Sequence, residues 1–284
     1  MGWRAHLRLS YTWDGERTGA HDRHEGPLRV LQRLYPEGPG ICHHVLVHPP
    51  GGVVGGDSLE LEATLAAGAH ALITTPGATR FYRSSGPLAT QRSTLALAPG
   101  ARLEWLPMEA IAYRGCEAEN LLRFELAPGA EMLGWDLLAL GLPAANLAFD
   151  KGRFLQQIEL PGVWLERGRI DAQDRLLLDS PLGWAGCRAM ATCWFAAGAP
   201  LAPARLAQLL DAARAVLDES DSAHLAAGAP PILAGVSAPQ DRVLVLRVLA
   251  ARIEPAMKLL ARVRAAWRWA AWGLEAQTPR IWST

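Results

Sequence analysis

The chain has 284 residues, half of them hydrophobic, with 28 basic residues balancing 28 acidic ones. That is enough apolar material for one large core, and it excludes both the one-signed field of a nucleic-acid binder and the charge-rich make-up of a disordered chain. No run approaches the ~18 apolar residues of a membrane helix, and Met1-Gly2-Trp3-Arg4 lacks the apolar stretch of a signal peptide, so the protein is read as cytoplasmic, with neither membrane nor nucleic acid among its partners.

Residues 5–13 alternate strictly, Ala5, Leu7, Leu9, Tyr11 and Trp13 against His6, Arg8, Ser10 and Thr12, the pattern of a half-buried strand. Residues 14–26 are polar and glycine-bearing and read as a loop, with His21 and His24 solvated. A second strand is expected over 28–34, followed by a turn at Tyr35-Pro36-Glu37-Gly38-Pro39-Gly40. Next comes the densest stretch of the chain. Cys42 to Val47 suits a strand whose period of two puts Cys42, His44 and the nearby His48 on one face and His43 on the other. Pro49 and Pro50 stop it, glycine pairs follow at 51–52 and 55–56, and Asp57 closes the loop. A metal role and an ordinary turn both fit that pattern.

A turn then recurs at intervals of about thirty residues: Leu65-Ala66-Ala67-Gly68-Ala69, Leu97-Ala98-Pro99-Gly100-Ala101 and Leu126-Ala127-Pro128-Gly129-Ala130. Strands with one wet face precede each turn, and further strands are expected at 71–75, 103–106 and 132–138. These are rungs, read as a stack of hairpin units in a solenoid-like architecture. Leu225-Ala226-Ala227-Gly228-Ala229 repeats the letters out of register and is read as a loop. Thr74 to Ser85 brings hydroxyls, Arg80, Arg83 and the Phe81-Tyr82 pair together, a composition that suits an anion site, a polar passage or a hydrogen-bonded turn. Strands continue at 153–160 and 164–171.

From Pro203, Leu206, Leu209, Leu210, Ala213, Val216 and Leu217 fall at helical spacing. A strand at 241–250 precedes a second helix opened by Pro255, with an apolar stripe of Ile253, Met257, Leu260, Val263 and Trp267. Lys258, Arg262 and Arg268 lie elsewhere on it and read as a solvated basic face. The apolar ending Pro279-Arg280-Ile281-Trp282 is expected to dock on the body or on a partner. The whole is a mainly β, stacked, β-helix-like single domain over 1–284, β-rich to 200, with about two α-helices in the C-terminal third. Cys42, Cys116, Cys187 and Cys193 include no C-x-x-C pair and read as reduced thiols. No P-loop, H-E-x-x-H or G-x-S-x-G is present, and the chain is read as a non-enzyme.

Gly26-Pro27-Leu28-Arg29-Val30, Tyr35-Pro36-Glu37, Cys42-His43, the run from His48 to Asp57, the run from Thr75 to Ser84, Leu103-Glu104-Trp105-Leu106-Pro107 and Pro279-Arg280-Ile281-Trp282 form an ordered set that resembles the UreD (UreH) family of urease accessory proteins. The resemblance implies a β-rich fold. It also implies a nickel-insertion chaperone that works in a hetero-oligomeric complex, binds apo-urease and UreF, and reaches the GTPase UreG through UreF. No tightly bound cofactor is implied, only transient Ni(II), thought to cross a water-filled passage inside the protein. The positions matching that passage are Asp57, Thr79, Arg80, Asp136 and Glu166. Asp57, Asp136 and Glu166 would offer carboxylate oxygens, Thr79 a hydroxyl for a water chain, and Arg80 a charge to orient a carboxylate; Cys42, His43 and His48 are secondary ligand candidates. A plainer alternative makes Asp136 and Arg80 a buried ion pair between rungs. Arg80 stands where the family usually has lysine, Met108 where it often has glutamine, and Leu142 where it has arginine. The alternative function is a β-solenoid carbohydrate-active hydrolase or lyase using the same carboxylates.

Overall fold

The recurring turn sets the architecture. In the computed structural model, which describes residues 2–227 and 232–283, Gly68, Gly100 and Gly129 have φ of 75, 73 and 82°. This is the left-handed position of a type II turn, which glycine occupies without strain and which a preceding proline favours. The N–H groups of Ala69, Ala101 and Ala130 bond back to the carbonyls of Ala66, Ala98 and Ala127. Each turn also bonds to the turn before it: Ala98 N–H meets the Leu65 carbonyl and Ala127 N–H the Leu97 carbonyl, both at 2.9 Å.

Those bonds send the strands on either side of a turn into different sheets, so the rungs are coils and not the hairpin units expected from the sequence. In chain order the strands are β1 (Arg4–Trp13), β2 (Thr18–Glu25), β3 (Arg29–Leu34), β4 (Ile41–Val47), β5 (Ser58–Leu65), β6 (His70–Thr74), β7 (Thr79–Phe81), β8 (Ala89–Leu97), β9 (Arg102–Leu106), β10 (Ala110–Ala112), β11 (Glu117–Leu126), β12 (Glu131–Leu140), β13 (Arg153–Leu160), β14 (Trp164–Asp171), β15 (Ala189–Ala197), β16 (Leu233–Gln240) and β17 (Val243–Ala250). The helices are α1 (Arg175–Asp179), α2 (Pro203–Ala227) and α3 (Ile253–Trp272). The first sheet runs β14-β13-β11-β8-β5-β1-β2, parallel from β13 to β1. The second runs β16-β17-β15-β12-β9-β6-β4-β3, parallel from β12 to β4. A short third face, β7 and β10 beside the end of β12, completes a stack of about four turns. Antiparallel strands close the ends of both sheets, so neither sheet ends on a parallel strand.

Several expectations need correction. Residues 18–25 form β2, an edge strand too exposed on both faces to show alternation, so His21 and His24 sit on a strand. The letters Leu225 to Ala227 close helix α2, and Gly228 and Ala229 lie outside the described residues. Arg268 is fully buried, while Lys258 and Arg262 are exposed as expected. The buried arginine belongs to an ionic cluster that fastens α3 to the outer face of the second sheet. Arg264 Nε donates to Glu104 Oε2 at 2.7 Å, Arg268 Nε stands 3.4 Å from Glu104 Oε1, and Arg268 also pairs with Glu37. Burial alone would raise the Glu104 pKa; Arg264, His70 and Arg268 outweigh it and hold the carboxyl down to about 2.

The helices cover a core of their own, in which Trp267 is fully buried and donates its indole N–H to the Leu209 carbonyl at 2.8 Å. The C-terminal end docks on the body: the Trp282 indole N–H reaches Thr74 Oγ1 at 2.8 Å, and its ring lies 5.3 Å from that of Trp135. Inside the solenoid the apolar filling forms two blocks. One gathers at the turns around Leu61, Leu122 and Ile158. The other gathers at the third face around Leu59, Ala118 and Phe154.

Candidate functional site

Between those blocks the strand period places a polar row. Gln91, Asn120 and Gln156 are register partners on β8, β11 and β13, and alternation turns all three toward the lumen, as it does their neighbours two residues away. Asp136, on β12 of the opposite sheet, faces them. Asn120 donates its amide to Asp136 Oδ2 at 3.1 Å, Gln156 donates to Asp136 Oδ1, and Gln91 donates to Asn120 Oδ1 at 3.3 Å. Asp136 is 6% exposed. Burial pushes its pKa up to about 7 although the Asn120 amide favours the ionised form. Among the described residues no cation partners this carboxyl; its hydrogen-bond partners Asn120 and Gln156 are neutral. The Oε1 atom of Gln156 is buried without a partner, which leaves an oxygen acceptor unused inside the lumen.

A cavity of about 350 Å³ adjoins this row, lined by Gln91, Ser93, Trp105, His48, Thr79 and Arg80 among others. Two glycines let its rim close tightly. A Cβ on Gly52 would lie 2.2 Å from the Tyr82 ring, and one on Gly55 would lie 2.1 Å from Ser84 Oγ, so the diglycines serve close approach of the two loops. The His48 pKa is lowered by burial, with the nearby Asp57 carboxylate opposing. On the other side of Asp136, Thr192 on β15 and Arg247 on β17 stand next to it in register. Arg247 meets Glu166 with Nε to Oε1 at 2.8 Å and Nη2 to Oε2 at 2.5 Å.

The sequence-derived residues therefore separate. Thr79, Arg80 and His48 line the cavity, and Asp136 faces the amide row. Asp57 is buried, but its carboxylate accepts the backbone N–H groups of Trp3 at 2.7 Å and Val54 at 2.9 Å, the chemistry of a loop clamp. Arg80 is exposed and held by Tyr82, which raises its pKa, so the Asp136–Arg80 ion pair does not form. Glu166 is engaged by Arg247. Cys42 is buried among the apolar side chains of the lumen. His43 points to the helix side of the second sheet, donating to Glu37 at 2.8 Å. His44, outside the resemblance, sits between Arg33 and Tyr11. The Arg33 guanidinium donates to His44 Nε2 at 3.3 Å, so Nδ1 carries the proton given to the Tyr11 hydroxyl at 2.8 Å. Burial lowers the His44 pKa to about 4.

The sequence reading missed Gln91, Asn120, Gln156, Thr192 and Arg247. A signal for two of them was present: aligned on the repeated turn, Gln91 and Asn120 each stand six residues before its leucine, Leu97 and Leu126. Among the described residues no cluster of three or more His, Cys, Asp or Glu side chains could hold a metal tightly. No described helix is long and apolar enough to cross a membrane.

The sequence matches the family model described as UreD urease accessory protein over residues 4–283. It is 62% identical over 286 residues to a protein of Leptothrix cholodnii, 59% over 283 to one of Verminephrobacter eiseniae and 57% over 284 to one of Variovorax paradoxus, each alignment covering both chains in full. All three bear the name urease accessory protein UreD.

Proposed function

The chain belongs to the UreD family of urease accessory proteins, and from that premise we propose that it is a nickel-insertion chaperone, performing no reaction of its own. It binds apo-urease and UreF in the cytoplasm, receives Ni(II) released by UreG, and lets the ion cross its solenoid lumen to urease. The observation that carries the proposal is the lumen row itself: three carboxamides from successive coils face one carboxyl, between two apolar blocks that would otherwise fill the interior.

The chemistry of that row suits a cation in transit. Carboxylate and carbonyl oxygens are acceptable ligands for a borderline ion such as Ni(II), yet one carboxylate with neutral amides holds it loosely. Conduction needs sites that are attractive enough to enter and weak enough to leave. The amides present N–H to Asp136 when no ion is there, and rotation of each carboxamide presents oxygen instead. The route enters at the cavity by His48, Thr79 and Arg80, passes Gln91 and Asn120 to Asp136, and continues along Thr192. The carbohydrate-active alternative draws no support from this arrangement, because Asp136 is bonded to amides and Glu166 to Arg247, which leaves neither free as a general acid or base.

The test is urease activation in cells lacking their own accessory protein, complemented with this chain or with Asp136→Ala, with assembly on urease checked by pull-down. The variant should assemble normally and leave urease nickel-poor. Full nickel loading by an assembled Asp136→Ala variant would make the carboxyl dispensable and the passage wrong.

A further inference from the structure

The lumen row ends on a positive charge. Asp136, Thr192 and Arg247 are neighbours in register on β12, β15 and β17, and Thr192 is buried at 2% exposure. Arg247 then reaches out of the second sheet to Glu166 on β14 of the first, and both oxygens of that carboxylate accept guanidinium N–H groups. A guanidinium cannot shed its proton, so its charge is permanent. The backbones of Asp136 and Arg247 lie two strand spacings apart, about 10 Å. For a charge separation of about 10–15 Å and an effective dielectric of about 20, an unopposed guanidinium would lower the occupancy of a divalent cation beside Asp136 by roughly tenfold or more.

Glu166 removes that obstacle. In this geometry it is already coordinated edge-on by Arg247, in the fork-to-fork pairing that satisfies both groups, and it offers a passing ion no free oxygen of equal quality. We infer that Glu166 acts as the counter-ion of Arg247 and not as a metal ligand, cancelling the charge that stands at this end of the polar row. The inference rests on the lumen passage proposed above and assigns a role to Arg247 that the sequence did not disclose. The pair is partly exposed, 47% for the Arg247 side chain and 27% for Glu166, so removing either charge leaves no buried group unpaired and the variants should fold.

A charge-cancellation cycle tests it. Glu166→Gln, Arg247→Gln, the double variant and Asp136→Asn are each expressed with urease and its other accessory proteins, in a host lacking the native counterpart of this chain. Nickel per urease active site is measured on the purified enzyme, and pull-down on urease confirms assembly. Glu166→Gln should lower nickel loading by about tenfold or more, Arg247→Gln should load at least as well as the parent, and the double variant should return to within about twofold of the parent. A double variant as poor as Glu166→Gln makes Glu166 a ligand and overturns the inference, and so does a Glu166→Gln variant that loads normally while Asp136→Asn fails. If Asp136→Asn and Glu166→Gln both load like the parent, the passage itself is wrong and the inference falls with it.

Discussion

On the outer face of the second sheet Glu104 is buried between Arg264 and Arg268; on its inner face Asp136 is buried among carboxamides. Both carboxyls stand on strands of the same sheet and both are almost wholly inaccessible, yet their acidities move in opposite directions, to about 2 and about 7. The outer cluster brings each charge a counter-charge, and it ties α3 to the solenoid. The inner row brings its carboxyl only dipoles, which cannot repay the loss of water as fully. Charges that hold a fold together come with partners. A lone carboxyl in a polar lumen is a weak point in stability, and such points tend to coincide with function.

The largest effect that would break this contrast is at Glu104. Glu104→Gln leaves the buried Arg264 guanidinium without its carboxylate and Arg268 with Glu37 alone, and should cost about 3–5 kcal/mol in chemical denaturation; a loss below about 1 kcal/mol would show that the outer cluster is no better matched than the inner one. Next comes the pH dependence, where the two carboxyls should act with opposite sign. Glu104 has a depressed pKa, so its contribution is present above about pH 4.5 and is lost as pH falls toward 2. Asp136 has a raised pKa, so its contribution is complete below about pH 4 and is lost as pH rises to 7. Asp136→Asn should therefore be near-neutral at pH 4 and stabilising at pH 8, by up to roughly 4 kcal/mol for a shift of this size. Parallel stability curves for parent and variant would contradict it.

Smaller changes sharpen the comparison away from the two clusters. Gly100→Ala meets no steric obstacle nearer than the Gly68 nitrogen at 3.8 Å, so its cost is conformational, about 1–2 kcal/mol for forcing alanine to φ near 73°. Arg123, which pairs with Glu125 and Glu159 on the open face of the first sheet, should contribute least: Arg123→Ala is expected to leave the denaturation midpoint unchanged within the scatter of repeat measurements. A larger loss there would mean that exposed charge ladders across the coils carry real stability.

Much of the architecture could be read from the turns, because Pro-Gly at fixed offsets dictates a local geometry that tertiary contacts seldom override. The hairpin reading failed because a turn's residues do not say whether its strands bond to each other or to the next coil. Strand β15 escaped notice for a different reason: Met190 is the only residue of Ala189–Ala197 that is not fully buried, so no alternation marks it. Arg268 looked like part of a solvated face since helical spacing shows the stripe but not the acidic partners that strand β9 and the turn before β4 place against it. At the site, Asp136 was found through resemblance, whereas Gln91 and Asn120 were legible only by comparing offsets between repeats. Gln156 stands only four residues before its turn, Leu160-Pro161-Gly162-Val163, which leads into a hairpin, and that broke the offset. Glu166 was legible as a carboxylate. Its engagement by Arg247, 81 residues further on, was not.

The most direct test fills the row with apolar side chains of similar size. Asn120→Leu and Gln156→Met are introduced separately and together, and each variant is assayed for assembly on urease, for thermal stability and for nickel per urease active site. The lumen account predicts normal assembly, a modest loss of stability because Asp136 loses its two amide donors, and nickel loading reduced about tenfold or more in the double variant, since apolar side chains offer a cation neither ligands nor a water chain. Undiminished nickel loading by an assembled double variant would contradict it, and would move the ion's path to the outside of the solenoid.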